Sequence, residues 1–134
     1  MTTLHFELTR DLILTANQRL HWAPKARKTS DLRQLGYIEG RRVRRATFPS
    51  GMAYAMWRAH LIVRVGWPQH RRRDVANLSP TIKALIDGCV DAGLLPDDDD
   101  AHLIGPDLRP YHAGRKGLVV LDFEFTPADE REPA

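Results

Sequence analysis

Apolar and polar residues alternate through Leu4-His5-Phe6-Glu7-Leu8, and that period of two predicts a half-buried first strand, resuming at Leu12-Ile13-Leu14. Thr15 to Lys28, with Asn17, Pro24 and several cations, reads as a loop. Leu32, Leu35, Ile38 and Val43 then recur at helical spacing, which predicts a helix from about Asp31 with Thr29 or Ser30 as its cap. Gly36 and Gly40 weigh against it, since glycine costs about 1 kcal/mol relative to alanine inside a helix. Phe48-Pro49-Ser50-Gly51 is a turn, and His60 to Val65 is a β-branched core strand stopped by Trp67-Pro68. Ser79-Pro80 opens a second helix, with serine as N-cap and proline at the first helical position. Ile82, Leu85, Ile86 and Cys89 share its apolar face, and Gly93 ends it in a left-handed cap. Gly117 to Phe125 forms a last strand, and residues 126–134 read as a frayed polar tail. The expected fold is α+β: one domain over residues 1–134, a small mixed sheet packed with two principal helices.

Composition narrows the class. The chain has 134 residues, 43% of them hydrophobic, enough for one core without staples. A single cysteine, Cys89, excludes an internal disulfide and a cysteine-rich zinc module, and fits a reducing cytosol. Residues 1–20 lack the pattern of a signal peptide, and no run approaches the roughly 20 apolar residues of a membrane helix, so a soluble cytoplasmic protein is expected. The net charge of +3 hides an asymmetry. Arg19 to Arg73 holds 14 Lys and Arg against 2 acidic residues, whereas Asp74 to Ala134 holds 5 against 13. A basic surface beside an acidic site suits an enzyme acting on nucleic acid, because cations supply sequence-independent phosphate binding. The simpler alternative is a solvated basic helix.

The border between the two halves carries the candidate chemistry. Arg71-Arg72-Arg73 runs into Asp74, and after the second helix comes Asp97-Asp98-Asp99-Asp100. Carboxylates near cations suggest metal-assisted chemistry on phosphodiesters, since Mg²⁺ prefers hard oxygen ligands and bridges carboxylates to substrate phosphates. A helix of about 13 residues spans roughly 20 Å, so Asp74 and Asp98 meet only if the chain after Gly93 folds back along it. Leu94-Leu95-Pro96 is the segment to begin that return. Other readings stand beside these: Asp74 as a helix-dipole partner, the tract as an exposed turn, and Lys83–Asp87 as an ordinary i,i+4 pair. His102 is either near the ligands or merely solvated, and Asn17 either contacts a DNA backbone or braces a turn. Cys89 belongs to the core. The scattered aromatics Trp22, Trp57, Trp67, Tyr37, Tyr54 and Tyr111 are expected mostly in the core or a dimer interface.

Arg73-Asp74-Val75-Ala76-Asn77-Leu78, a helix, then Gly93-Leu94-Leu95-Pro96-Asp97-Asp98 resembles the RusA-like Holliday-junction resolvases, small dimeric endonucleases often found in phages and prophages. Their pattern runs Arg-Asp-x-Asp-Asn-Leu-x-Lys, a helix, then Gly-(Val/Leu)-x-x-Asp-Asp, and the likeness covers most of the chain. It implies Asp74 as the first metal ligand and Asp98 as a catalytic carboxylate, with Asp97 beside it, and Mg²⁺ (Mn²⁺ as an alternative) as cofactor. Two positions depart: the family's second aspartate falls on Ala76 and its lysine on Pro80. Lys83, a turn further on, is the candidate replacement cation. Asp87, Asp99, Asp100 or the amide of Asn77 are candidates for the missing ligand.

The expected roles follow. Asp74 and Asp98 ligate, Asp97 or Asp87 supports, and Lys83 stabilises transition-state charge. Arg41, Arg42, Arg44, Arg45, Arg71, Arg72 and Arg73, with Asn17 and Asn77, bind DNA. A two-fold homodimer presents the two sites that resolving a four-way junction requires. Rival readings are a catalytically inactive branched-DNA-binding protein, left so by Ala76 and Pro80, and an acidic-loop Ca²⁺-binding or interaction module.

Overall fold

The alternation at the start of the chain becomes strand β1 (Thr2–Thr9), which buries Thr2, Leu4, Phe6 and Leu8 and exposes the residues between them. The computed structural model describes residues 1–19, 21–68, 75–111 and 115–128. After β1 come helix α1 (Trp22–Thr47), β2 (Ala59–Gly66), α2 (Ser79–Asp91), β3 (Leu103–Tyr111) and β4 (Leu118–Pro127). The strands form one mixed sheet in the order β1-β4-β2-β3. β4 is antiparallel to both β1 and β2, while β3 lies parallel to β2 on the edge. The α+β architecture with two principal helices is as the pattern predicts.

Register explains the core. Phe123 is paired with Leu4 on one side and Val63 on the other, and Leu121 with Phe6 and Val65, so all inward residues fall on one face. Phe6 meets Phe123 edge-on at 5.1 Å between ring centroids. Both helices contribute to that same core through Leu32, Val43, Ile82, Leu85 and Cys89. Each large apolar side chain buried there contributes roughly 1.5–3 kcal/mol. Burial also pushes the Cys89 thiol up to about 12, an inert core group as expected. The opposite face of the sheet carries charge: His5 pairs with Asp122 at 2.5 Å and Arg64 with Glu124 at 2.8 Å.

The two glycines that weakened the α1 expectation are the reason α1 packs where it does. A Cβ at Gly36 would lie 2.2 Å from the Leu85 carbonyl oxygen and one at Gly40 2.9 Å from the Ala92 Cβ; across the crossing, one at Gly88 of α2 would lie 2.1 Å from the Arg33 carbonyl oxygen. The two backbones therefore touch at their crossing, and the contact offsets the helical cost of glycine.

Several sequence expectations need correction. α1 begins at Trp22, nine residues before Asp31, and Thr29 is inside it, its hydroxyl donating to the Lys25 carbonyl at 2.8 Å. Pro24 sits in the first turn, where its missing N–H would have had no partner, so it does not mark a loop. Residues 10–12 form a 3-10 turn instead of a resumed strand. β3 has no counterpart among the elements the pattern predicts. Ser79 is the first residue of α2 and Leu78 its N-cap; the Ser79 hydroxyl donates to the Ala76 carbonyl at 2.6 Å. β4 continues to Pro127 and the Ala128 N–H donates to Arg58, so the expected tail is ordered through residue 128; residues 129–134 lie outside the described residues. Trp67 packs against the core, but Trp22, Tyr37, Trp57 and Tyr111 are exposed and do not belong to it.

Candidate functional site

The return after α2 is built from its last turn. Gly93 adopts φ +82°, its N–H donates to the Val90 carbonyl, and the Leu94 N–H reaches back to Cys89. This double bond pattern satisfies carbonyls left open at the helix end and reverses the chain. Leu94 and Leu95 are then buried, and the N–H groups of Ala55 and Met56 donate to Gly93 and Leu94. The reversal carries Asp98 back to Lys83 on α2; Asp74, the other acid of the expected pair, lies outside the described residues.

There Lys83 donates to both Asp98 and Asp87, the latter at 2.8 Å. Asp87 and then Asp98 hold the Lys83 ammonium above its usual range, and Lys83 holds the Asp98 carboxyl below the usual carboxylate range. Lys83 and Asp98 therefore stay ionised around neutral pH. They sit at the lip of a cleft of about 340 Å³ between α2 and β3, lined by Ser79, Ile82, Ile86, Leu103, Pro106 and Leu108 among others. An apolar cleft with a few charged groups at its edge can seat a ligand and orient it. This wall has no counterpart among the predicted elements, because β3 has none; Leu103 beside the acidic tract is the available signal.

The tract divides by role. Asp97 accepts the Asp98 N–H at 2.7 Å, which fixes the turn that presents Asp98. Asp99 builds the next turn, accepting from Ala101 at its side chain and from His102 and Leu103 at its carbonyl. Asp100 is exposed. His102 is set against the Trp57 carbonyl at 2.8 Å and the Trp57 ring, so it braces the 54–58 segment and stands apart from Lys83.

Asn17 and Asn77 are brought together, 60 residues apart in sequence. The Asn17 amide donates to the Asn77 side chain at 3.1 Å, and the Ala16 N–H donates to the Asn77 carbonyl. The buried Thr81 hydroxyl both accepts from and donates to Leu14, tying the same loop to the start of α2. Bracing is thus the observed contact of Asn17. Arg71, Arg72, Arg73 and Asp74 lie outside the described residues.

The four arginines near the end of α1 are not equivalent. Arg42 makes a two-pronged pair with Glu39, at 2.9 and 2.5 Å, which pulls the Glu39 carboxyl below its usual range. Arg44 donates to the carbonyls of Met52, Ala53 and Ala92. Arg41 and Arg45 make no such contacts among the described residues. Also among the described residues, no three His, Cys, Asp or Glu side chains cluster tightly enough to hold a metal ion, and no helix is long and apolar enough to cross a membrane. No family model matches the chain, and no curated protein matches it.

Proposed function

We propose that this protein is a Mg²⁺-dependent endodeoxyribonuclease that nicks branched DNA, four-way junctions above all, as a two-fold homodimer in the cytoplasm. The observation that carries the reading is the meeting of Asp98 and Lys83 in the lining of the α2–β3 cleft, with Asp87 paired to the same ammonium. Asp98 is the acid that the RusA-like motif assigns to catalysis, and Lys83 supplies a cation where Pro80 has none.

The donor chemistry fits a hard divalent cation. Asp98 and Asp87 offer carboxylate oxygens within reach of one positive charge, and Mg²⁺ typically takes one or two carboxylates together with substrate phosphates. Asp98 and Asp87 would hold it with Asp74 from the preceding motif, and Asp97 presents Asp98 for the purpose. Mg²⁺, or Mn²⁺ in its place, supplies charge neutralisation and a more acidic water. Lys83 contributes a positive charge to the phosphodiester as negative charge builds on its oxygens. Asp87 keeps that ammonium protonated and aimed. The apolar cleft wall keeps bulk water from one side of the site. Arg41, Arg45, Arg71, Arg72 and Arg73, with Asn77, serve the backbone and favour shape over sequence, while Arg42 and Arg44 are held by Glu39 and by three carbonyls and support them.

The test is a nicking assay on a synthetic four-way junction with Mg²⁺, comparing the wild type with Asp74→Asn and Asp98→Asn. Cleavage by the wild type and loss in both variants is expected. One observation favours the inactive DNA-binding reading: Lys83 already pairs with both Asp87 and Asp98, and Ala76 offers no further carboxylate. Junction binding without cleavage under every divalent ion would establish that reading instead.

A further inference from the structure

A second cleft, of about 460 Å³, lies at the C-terminal end of α1, lined by Arg41, Arg44, Arg45, Phe48, Ser50 and Gly51 among others. We infer that this cleft is a phosphate-binding site for a nucleic-acid backbone, separate from the Lys83–Asp98 cluster, in which Arg41 and Arg45 hold the anion and Arg44 builds the floor. It rests on the DNA-binding part of the proposed function and gives that function a second, defined point of contact.

Three observations converge. The first is unmatched charge. No Asp or Glu occurs between Glu39 and Asp74, and the acids nearest in the helices are already taken, Glu39 by Arg42 and Asp91 by Arg33. Three guanidinium groups thus line one concavity, with no carboxylate among the described residues that line it. The negative end of the α1 dipole relieves this only in part, being equivalent to about half an elementary charge.

The second is a division of labour. Arg44 spends its donors on the carbonyls of Met52, Ala53 and Ala92, so it ties the 49–53 turn to the end of α2. Arg41 and Arg45 have no such ties among the described residues and lie one helical turn apart, about 6 Å in rise. Two neighbouring guanidinium forks suit phosphate oxygens, which they can bind two-pronged.

The third is a wall held open. Gly51, at φ +88°, allows the tight turn that bears Ser50, and a Cβ there would meet nothing within 4 Å. At the other end Gly93 makes room for the Arg44 guanidinium: a Cβ there would lie 2.1 Å from its Nη1. The plain alternative is a solvated basic helix end with no bound anion.

The experiment measures binding of a labelled four-way junction and a linear duplex across a NaCl series without divalent ions. It compares the wild type, Arg41→Gln/Arg45→Gln, and Arg109→Gln/Lys116→Gln as a control removing the same charge elsewhere. Each lost phosphate contact flattens the plot of log affinity against log salt by about 0.9. The cleft variant is expected to have a slope shallower by about 2, to bind at least tenfold more weakly at 0.1 M NaCl and to keep the wild-type melting temperature; the control keeps the wild-type slope. Single Arg41→Gln and Arg45→Gln variants, each shifting the slope by about 1, keep the test valid if the double variant misfolds. A wild-type slope in the cleft variants, with the wild type binding DNA, overturns the inference and leaves the nuclease reading intact; so does an equal loss in the control. Absence of DNA binding by the wild type overturns both.

Discussion

The two sides of α2 solve opposite problems. Toward α1 the helix presents Gly88 and brings backbone against backbone, where a single added carbon has no room. Toward β3 it presents Ile82 and Ile86 to an open cleft, with Lys83 beside them paired to both Asp98 and Asp87. One side gains by excluding everything and the other by leaving space. Rigidity on the first side fixes the helix against which the second side's charges are aimed, so packing and chemistry are expected to respond to different substitutions.

The largest effect is expected on the open side, in rate. Lys83→Met should lower junction nicking about 10²–10³-fold, the range for removing one preorganised electrostatic donor. The same change should alter stability by less than about 1 kcal/mol, because the lysine side chain is 58% exposed and its pairs are solvent-screened. A matching drop in both activity and urea midpoint would erase the contrast between the sides. On the closed side Gly88→Ala should cost about 2–3 kcal/mol, since strain from overpacking outweighs the gain in helix propensity. Its Cβ would lie 2.1 Å from the Arg33 carbonyl and 2.6 Å from the Tyr37 nitrogen. A urea midpoint at or above the wild-type value would show that the helices do not meet there.

The smallest effect is a pH dependence. The Asp98 carboxyl is held below its ordinary value of 3.8, so its contribution to stability is present above that value and is lost as pH falls through the folded one. Lys83 is raised above 10.5, so its contribution is complete below that value and is lost as pH rises through the folded one. Lys83→Met should therefore flatten the stability profile below about pH 4 by under about 1 kcal/mol, measured by urea titration against the wild type. An unchanged acid limb would mean that the pair does not persist in solution.

Much of the fold was legible because its signals were local. The alternation in β1, the apolar face of α2 and the left-handed cap at Gly93 each follow from residues within one element. What failed depended on partners elsewhere. Pro24 was read as a loop signal because only the helix itself shows that it occupies the first turn. Gly36 and Gly40 argued against α1 until α2 supplied the surface that needs them. β3 carries Pro106 and Pro110, residues that a central strand excludes; as an edge strand paired only with β2 it tolerates them. In the site, the folding-back of the chain after Gly93 is legible as the route from Asp98 toward Asp74, but the pairing of Asp98 with Lys83 and the cleft wall are not. The unequal fates of Arg41, Arg42, Arg44 and Arg45 were also hidden, because adjacent arginines look alike until Glu39 and three carbonyls claim two of them.

The central claim is that Asp98 and the residues around Asp74 hold one divalent cation between them. The most direct measurement is a Mn²⁺ titration followed by backbone amide NMR. One equivalent should broaden the amides of Asp97 to Asp100 together with those of Val75 to Asn77, and Asp98→Asn should abolish both effects. Broadening confined to either segment, or surviving in Asp98→Asn, would contradict it.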